Sequence, residues 1–333
     1  MCGARGEHGA TVAPVGAMLS ILIMQTSSKV RWPAVLRAGA RVALVCASGP
    51  LAGEADVVRA ELHVRGMGWE PVRGASVLAR LGYLAGSDEQ RITDLQWALD
   101  DHTIDAVWCV RGGYGLTRIV SRLSLESFAL RPKVVIGYSD VTALHCAIAA
   151  RARIVTFHAH TARAALPSMS RDSLRAAVTQ GGEPCGVWPE ARAVRGGRVA
   201  GRLVGGNLSL LAALCGTPDA MSARGAIVVL EDLHEPAYRV DRMLRQLEQS
   251  GALRGCVGLA VGQFTLVPVD ENVDAPGVDE LIDELAQRLG VPCLGNLPIG
   301  HIADQWTIPL GASATLDVDA CALWTAEGAV NAQ

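Results

Sequence analysis

The chain of 333 residues carries 30 Lys and Arg against 33 Asp and Glu, a formal net charge of −3, and half of its residues are apolar. That apolar fraction excludes an intrinsically disordered chain, and the near-balanced charge excludes the basic surface that nucleic-acid binding by counterion release requires. The length fits one large or two medium globular domains, because single cores stop growing near roughly 250–300 residues.

The stretch Ala10 to Met24 is uncharged and mostly apolar, too short for an ordinary membrane span but within range for the core of a signal peptide. Only Arg5 and Glu7 precede it among charged residues other than His8, and no small-x-small cleavage site follows. Residues 1–36 are therefore expected to form a disordered extension, or to include an early start ahead of Met18 or Met24, and no membrane partner is expected. The nine cysteines, at 2, 46, 109, 146, 185, 215, 256, 293 and 321, form no Cys-x-x-Cys pair. Neither a zinc framework nor a thioredoxin-like site is offered, and unpaired thiols inside apolar runs suit a reducing compartment.

From Ala40 strands and helices alternate. Arg41–Ala47 reads as a strand stopped by Ser48-Gly49-Pro50, followed by helical spacing over Glu54–Gly66 and an amphipathic helix over Asp88–Leu99. Ile104–Val110 and Lys133–Ile136 read as buried strands and Val141–Ala150 as an apolar helix. Strands separated by helices pair in parallel through right-handed crossovers, so residues 37–180 are expected to form a layered α/β domain. Gly and Pro cluster over 181–197, the expected linker. Residues 198–330 read as a smaller mixed α+β domain: a Gly-rich apolar segment (202–214), strands at 226–230 and 258–264, helices at 239–250 and 279–289, and a β-rich end from 307 to 324.

The most informative stretch is VVIGYSDVT, Val134 to Thr142, which passes from a strand through Gly137 to Ser139 and into a helix. A serine on a sharp strand-to-helix turn presents its hydroxyl at the carboxyl edge of the sheet, beside helix N-terminal amides that can hold negative charge. Val141 stands where a G-x-S-x-G elbow has its second glycine, so the local pattern equally suits Ser139 or Asp140 as a helix N-cap. Arg111-Gly112-Gly113-Tyr114-Gly115 follows the strand ending at Val110, at the same edge, where open α/β sheets bind ligands. Its spacing is not that of the dinucleotide fingerprint, which leaves an oxyanion or substrate loop, or a simple tight turn. Farther along, Leu230 to Glu235 (LEDLHE) sets acids just past an apolar run, and Asn296 to His301 (NLPIGH) sets a histidine after a glycine. An imidazole oriented by an acid can accept a serine proton.

Together these segments resemble the LD-carboxypeptidase family of serine peptidases, which includes the microcin C self-immunity peptidases. The matching motifs are ASGP, RGGYG, IGYSD-x-T, GGNLSLL-x-x-L-x-GTP (Gly205 to Pro218), LED-x-x-E-x-x-Y-x-x-DRML-x-QL-x-x-SG (Leu230 to Gly251), PIGH and TIPLG, spread over roughly residues 37 to 325. The resemblance implies Ser139 as nucleophile, His301 as general base and then acid, and Glu231 as the acid orienting the imidazole, with Glu235 as its rival. It implies the amides of Asp140 and of Gly112 or Gly113 as oxyanion-hole donors. Arg111 and Tyr114 would touch substrate, Arg111 being alternatively a buried structural ion pair. The site would lie in the cleft between the two domains.

The activity so implied is hydrolysis of the L,D-amide bond to the terminal D-alanine of murein tetrapeptides, during cytoplasmic cell-wall recycling. It would be carried out by a homodimer acting on small peptides without metal or cofactor. Where many relatives read Gly-Pro after the residue corresponding to His158, this chain has Ala159-His160, which leaves substrate preference open. His158 and His160 lack a third ligand for a metal. Within the family the rival activity is hydrolysis of microcin-C-like aminoacyl-nucleotide amides, which the 4% aromatic content disfavours. Outside it, the rival is a non-catalytic nucleotide- or sugar-binding α/β protein using the Gly-rich loops.

Overall fold

After Arg41, strand β1 (Arg41–Val45) is an unbroken apolar run because both of its faces are covered: Val42, Ala43, Leu44 and Val45 are all fully buried. The computed structural model to which it belongs describes residues 29–180, 182–267 and 276–325. After β1 the chain alternates through α1 (Glu54–Gly66), β2 (Glu70–Arg73), α2 (Asp88–Asp100) and β3 (Ala106–Cys109). Two short helices follow, α3 (Leu116–Ile119) and α4 (Glu126–Leu130), then β4 (Val134–Gly137), α5 (Thr142–Arg151), β5 (Thr156–His158) and α6 (Ser168–Arg175). The strands pair in parallel in the order β5-β4-β3-β1-β2. Helix α2 starts at a capping box, in which Ser87 accepts from the Gln90 amide and the Gln90 side chain accepts from the Ser87 amide.

The second half contains β6 (Gly186–Val187), β7 (Arg192–Arg195), β8 (Arg198–Asn207), α7 (Leu208–Ala213), β9 (Ala226–Leu233) and α8 (Ala237–Gln249). It continues through β10 (Gly258–Thr265), α9 (Val278–Leu289), β11 (Cys293–Gly295), β12 (Ile308–Leu310), β13 (Ser313–Asp317) and β14 (Ala322–Thr325). Its sheet has eight strands in the order β6-β14-β13-β8-β9-β10-β11-β7. The centre, β8 to β11, is parallel and the flanks are antiparallel. Gly205, at φ +126, lets β8 run close against β9, since a Cβ there would lie 2.1 Å from the Val229 carbonyl oxygen.

Three features depart from the sequence-based expectation. The Gly/Pro-rich stretch read as a linker contributes β6 and β7, the two edge strands of the second sheet. Strand β12 leaves the second half to pair antiparallel with β5, so the first sheet is not wholly parallel. Residues 29–36, expected to be disordered, pack on the first sheet's layer: Arg31 bridges Ile154, and the buried Leu36 donates its amide to Val178 at 2.8 Å. The apolar stretch Ala10 to Met24 lies outside the described residues. Among the described residues no helix is long and apolar enough to cross a membrane.

A single apolar core crosses between the halves, running from Leu144 and Ala147 of α5 to Leu208 and Leu211 of α7 and on to Val228 and Leu230 of β9. On the same side of the first sheet, where Leu95, Ala98 and Leu99 of α2 join this core, Arg91 of α2 is 1% exposed. Its guanidinium donates to the carbonyls of Ala47 (2.6 Å) and Gly115 (2.9 Å) and to Asp88 (2.5 Å), stapling together the loops that follow β1 and β3. Arg91→Leu would strand these buried acceptors and is expected to lower stability by about 3–5 kcal/mol, read from the midpoint of urea unfolding. A loss below about 1 kcal/mol would show that the loops hold themselves.

Candidate active site

Ser139 follows β4 by two residues and has φ +63, a left-handed conformation that is costly for a residue with a side chain. Such strain persists only where the surroundings over-determine it. Here Gly137 leaves room for Val141, whose two methyl carbons would each lie 2.9 Å from a Cβ at 137. The Gly137 carbonyl lies 2.9 Å from His145 Nε2 and accepts from the Ala159 amide (3.2 Å), while the Val141 amide donates to the Tyr138 carbonyl (3.2 Å). A 3-10 turn over Ser139–Val141 leads into α5, with Tyr138 and Val141 in the two cap positions and no side-chain cap bond at either. Neither Ser139 nor Asp140 is therefore the N-cap that the local pattern also allowed.

The Gly-rich loop lies directly on this turn. A Cβ at Gly112 would come within 3.0 Å of Ser139 Cβ and 3.2 Å of its Oγ, and Gly113, at φ +115, passes equally close to Gly49. Asp140 is buried and its Oδ2 accepts from the Leu116 amide at 2.9 Å, pinning the end of the Gly-rich loop to the serine turn. Burial pushes its carboxyl up from the ordinary range, opposed by the Ser48 hydroxyl and the amides of Leu116 and Gly115. Arg111 donates to the Pro50 carbonyl and forms no ion pair among the described residues, contrary to the structural alternative considered for it. Tyr114 is half-exposed, its ring 5.7 Å from that of Tyr83.

On the second sheet two adjacent acids of β9 have different fates. Asp232 accepts from Asn207 Nδ2 (2.8 Å), the amide (2.8 Å) and hydroxyl (2.7 Å) of Ser209, and its neighbour's amide, so it is committed to the start of α7. Glu231 is 0% exposed, and its Oε2 lies 2.7 Å from His301 Nδ1. Burial pushes the Glu231 carboxyl up, and the bond from His301 is the largest opposing influence. Glu235 instead pairs with Arg239 at 3.1 Å, one helical turn on, and is not beside the imidazole. Gly300 makes the approach of His301 possible: it has φ +111, and a Cβ there would lie 2.7 Å from Glu231 Oε2.

Two contacts bring these pieces into one cleft. The ring of Tyr138, the residue before Ser139, lies 4.7 Å from the His301 ring, and Thr142 Oγ1 accepts from the Asn207 amide at 3.1 Å. Burial, then the charge of Glu231, pushes the Tyr138 hydroxyl up to about 12, so it stays neutral. Asn207 and Tyr138 were not singled out by the sequence reading. Asn207 had a signal, an Asn immediately ahead of an apolar helix, whereas nothing in the sequence marks the Tyr138 contact. His158, fully buried beneath the cleft, is held neutral by burial and then by the neighbouring histidines. Burial likewise pushes His145 and His160 down to about 4. Among the described residues no three metal-ligating side chains gather.

An imidazole held by a buried carboxylate is a base, and a hydroxyl raised on a strained turn is the kind of group it deprotonates; such chemistry is that of a serine hydrolase. Comparison with known proteins makes the class specific. The profile of the LD-carboxypeptidase N-terminal domain matches residues 42–159 and that of the C-terminal domain residues 200–316. A Streptomyces coelicolor relative is 40% identical over 305 residues, covering 86% of this chain and 93% of its own. The murein tetrapeptide carboxypeptidase of Pseudomonas aeruginosa is 35% identical over 292 residues, covering 83% and 93%. The crystal structure of muramoyltetrapeptide carboxypeptidase from Oxalobacter formigenes superimposes with a TM-score of 0.78 at 27% identity, covering 87% of this chain and 99% of that one. The chain belongs to the LD-carboxypeptidase family and is a serine peptidase.

Gly300→Ala is expected to displace His301 and lower kcat/KM about 10²-fold, the usual effect of a misplacement near 1 Å; activity within threefold would show that the loop absorbs the methyl. Glu231 gives a pH signature. Because its folded pKa is raised above the ordinary 4.5, the native state holds the proton more tightly than the unfolded chain. Wild-type stability therefore falls relative to Glu231→Gln as pH rises from about 4.5 through the raised folded value. Urea unfolding of both proteins across that window checks the sign, and a difference that moves the other way contradicts it.

Proposed function

We propose that this peptidase hydrolyses the amide bond between an L-configured centre and the terminal D-alanine of murein tetrapeptides, through a triad of Ser139, His301 and Glu231. The observation that carries the reading is the 2.7 Å Glu231–His301 contact in the cleft that also holds the strained Ser139 turn. Ser139 Oγ attacks the scissile carbonyl while His301 Nε2 takes its proton and delivers it to the departing amine of D-alanine. Water then enters by the same route and releases the acyl-enzyme. Glu231 keeps the imidazole oriented through Nδ1 and stabilises its cationic form during each transfer.

The amides of Asp140 and of Gly112 or Gly113 are the donors offered for the oxyanion, a role supported by the close approach of Gly112 to Ser139. Tyr114, half-exposed beyond this loop, is offered as a substrate contact. Arg111 is offered as another, in addition to bracing Pro50. Murein tetrapeptides as substrate follow the Pseudomonas and Oxalobacter relatives. The proposal includes domains at 37–180 and 198–330, each supplying part of the triad, and a homodimer working in the cytoplasm. The latter setting is supported by eight free cysteines among the described residues.

Purified protein is expected to release D-alanine from an L,D-tetrapeptide and to be labelled by a fluorophosphonate. Ser139→Ala should abolish labelling and lower turnover by about 10³-fold or more. Equal labelling of the variant would remove Ser139 from the reaction. An intact tetrapeptide together with cleavage of an aminoacyl sulfamoyl adenylate would replace the substrate assignment with the aminoacyl-nucleotide one. No labelling and no hydrolysis would favour a binding protein.

A further inference from the structure

His301 follows Gly300, a residue with no Cβ to restrict it and with φ +111. The torsions that aim the imidazole are thus intrinsically soft. Besides the Glu231 contact, they are restrained by the Ile302 amide donating to the Gly300 carbonyl at 2.9 Å and the Thr265 hydroxyl donating to the His301 carbonyl at 3.4 Å, and by a further bond on the other side of the peptide. The buried Gly300 amide donates to Gln305 Oε1 at 3.2 Å, and Gln305 is 1% exposed. A carboxamide can turn over and exchange oxygen for nitrogen, which would set its NH2 against the Gly300 N–H. The second bond of Gln305 opposes that turn, because its Nε2 donates to His160 Nδ1 at 3.0 Å. His160 is 4% exposed and burial keeps its ring neutral, so one ring nitrogen keeps a lone pair; the amide donor of Gln305 against Nδ1 makes that nitrogen the acceptor and puts the proton on Nε2, which has no hydrogen-bond partner among the described residues. The backbone of Gln305 is anchored separately, its amide donating to Ser170 Oγ at 2.7 Å.

The two ends of this relay flank the antiparallel β5–β12 pair and link the serine turn to the loop that carries His301. His160 lies in the loop after β5, its ring edge-on to Tyr138 at 5.9 Å, beside Ser139. Gln305 lies in the loop that carries His301. We infer that His160 and Gln305 are a positioning pair, which fixes the peptide bond ahead of His301 and so keeps the imidazole in register with the Ser139 turn. The inference rests on the proposed roles of Ser139 and His301. It assigns functions to two residues that touch neither substrate nor reacting atoms.

The test measures kcat and KM for D-alanine release, and the rate of fluorophosphonate labelling, in five variants. Gln305→Leu and His160→Leu are expected to lower kcat and the labelling rate about 10- to 100-fold with KM within about threefold. His160→Gln, whose carbonyl can accept from the Gln305 amide, should retain kcat within about fivefold, a rescue that simple packing would not give. Ser173→Ala removes the acceptor of the Thr307 amide (2.7 Å) without touching Gly300; it should lower thermal stability and leave kcat unchanged. His301→Ala is the reference: if it labels and turns over like wild type, the reading of His301 as the base fails. If His301→Ala is inactive while both folded Leu variants keep kcat within twofold, or while Ser173→Ala loses as much activity as they do, the positioning pair is overturned. Nitrogen-15 NMR of the wild-type protein decides the case without variants. A His160 ring protonated on Nε2, with Nδ1 as hydrogen-bond acceptor, supports the pair, and a ring protonated on Nδ1 overturns it.

Discussion

A carboxylate with no solvent exposure, set inside a β-strand, is the constraint around which the cleft is organised. Removing such a group from water carries a penalty of several kcal/mol unless it is paired, and Glu231 meets that requirement through His301 Nδ1. The neighbouring Asp232 draws its donors from Asn207, Ser209 and the backbone, and so makes no claim on the imidazole. The same demand explains the glycine before His301: only a residue lacking Cβ lets the loop close on the carboxylate. Burial thus raises the affinity of Glu231 for a proton while the histidine bond opposes it. That balance suits an acid that must hold an imidazole rather than exchange protons with solvent.

The hydroxyl and the imidazole come from different sheets, so their relation depends on how those sheets are joined. The carboxyl ends of β4 and β9 both open on the cleft, as ligand sites in parallel sheets usually require. The shared apolar core along α5 and α7, the Thr142–Asn207 hydrogen bond and the return of β12 beside β5 connect the two halves. The two halves are thus joined by packing and pairing as well as by the chain that runs between them. An apolar core shared across the boundary limits hinge motion, and the proposed triad would benefit from a fixed geometry.

Much of this arrangement was legible in the sequence because fully covered parallel strands leave a distinctive trace. Residues 42–45, Ala106–Cys109 and Val134–Gly137 are continuous apolar runs, each ending in a polar or glycine-rich loop at the sheet's carboxyl edge. What was not legible depends on contacts distant in sequence or on torsions. Strand β2 contains Pro71 and is half-exposed at the sheet's edge, so it lacks the apolar signature. The Gly/Pro-rich stretch reads as a linker because β6 and β7 are short edge strands among glycines and prolines, ordered by pairing with the distant β14 and β11 and by bonds such as Arg192 to Asp283. Ser139 was ambiguous between nucleophile and cap because its positive φ is imposed by Val141, His145 and Ala159 together. Gln305 and His160 meet across 145 residues, beyond the reach of any local pattern.

The most direct test of the central claim is proton NMR of the wild-type protein at low temperature, observing the His301 Nδ1 proton. An imidazole N–H donated to a buried carboxylate at 2.7 Å should give an exchange-protected resonance far downfield of the backbone amides, absent from both Glu231→Gln and His301→Asn. If no such resonance exists, or if it survives the loss of Glu231, the carboxylate does not hold the histidine and the proposed triad is wrong.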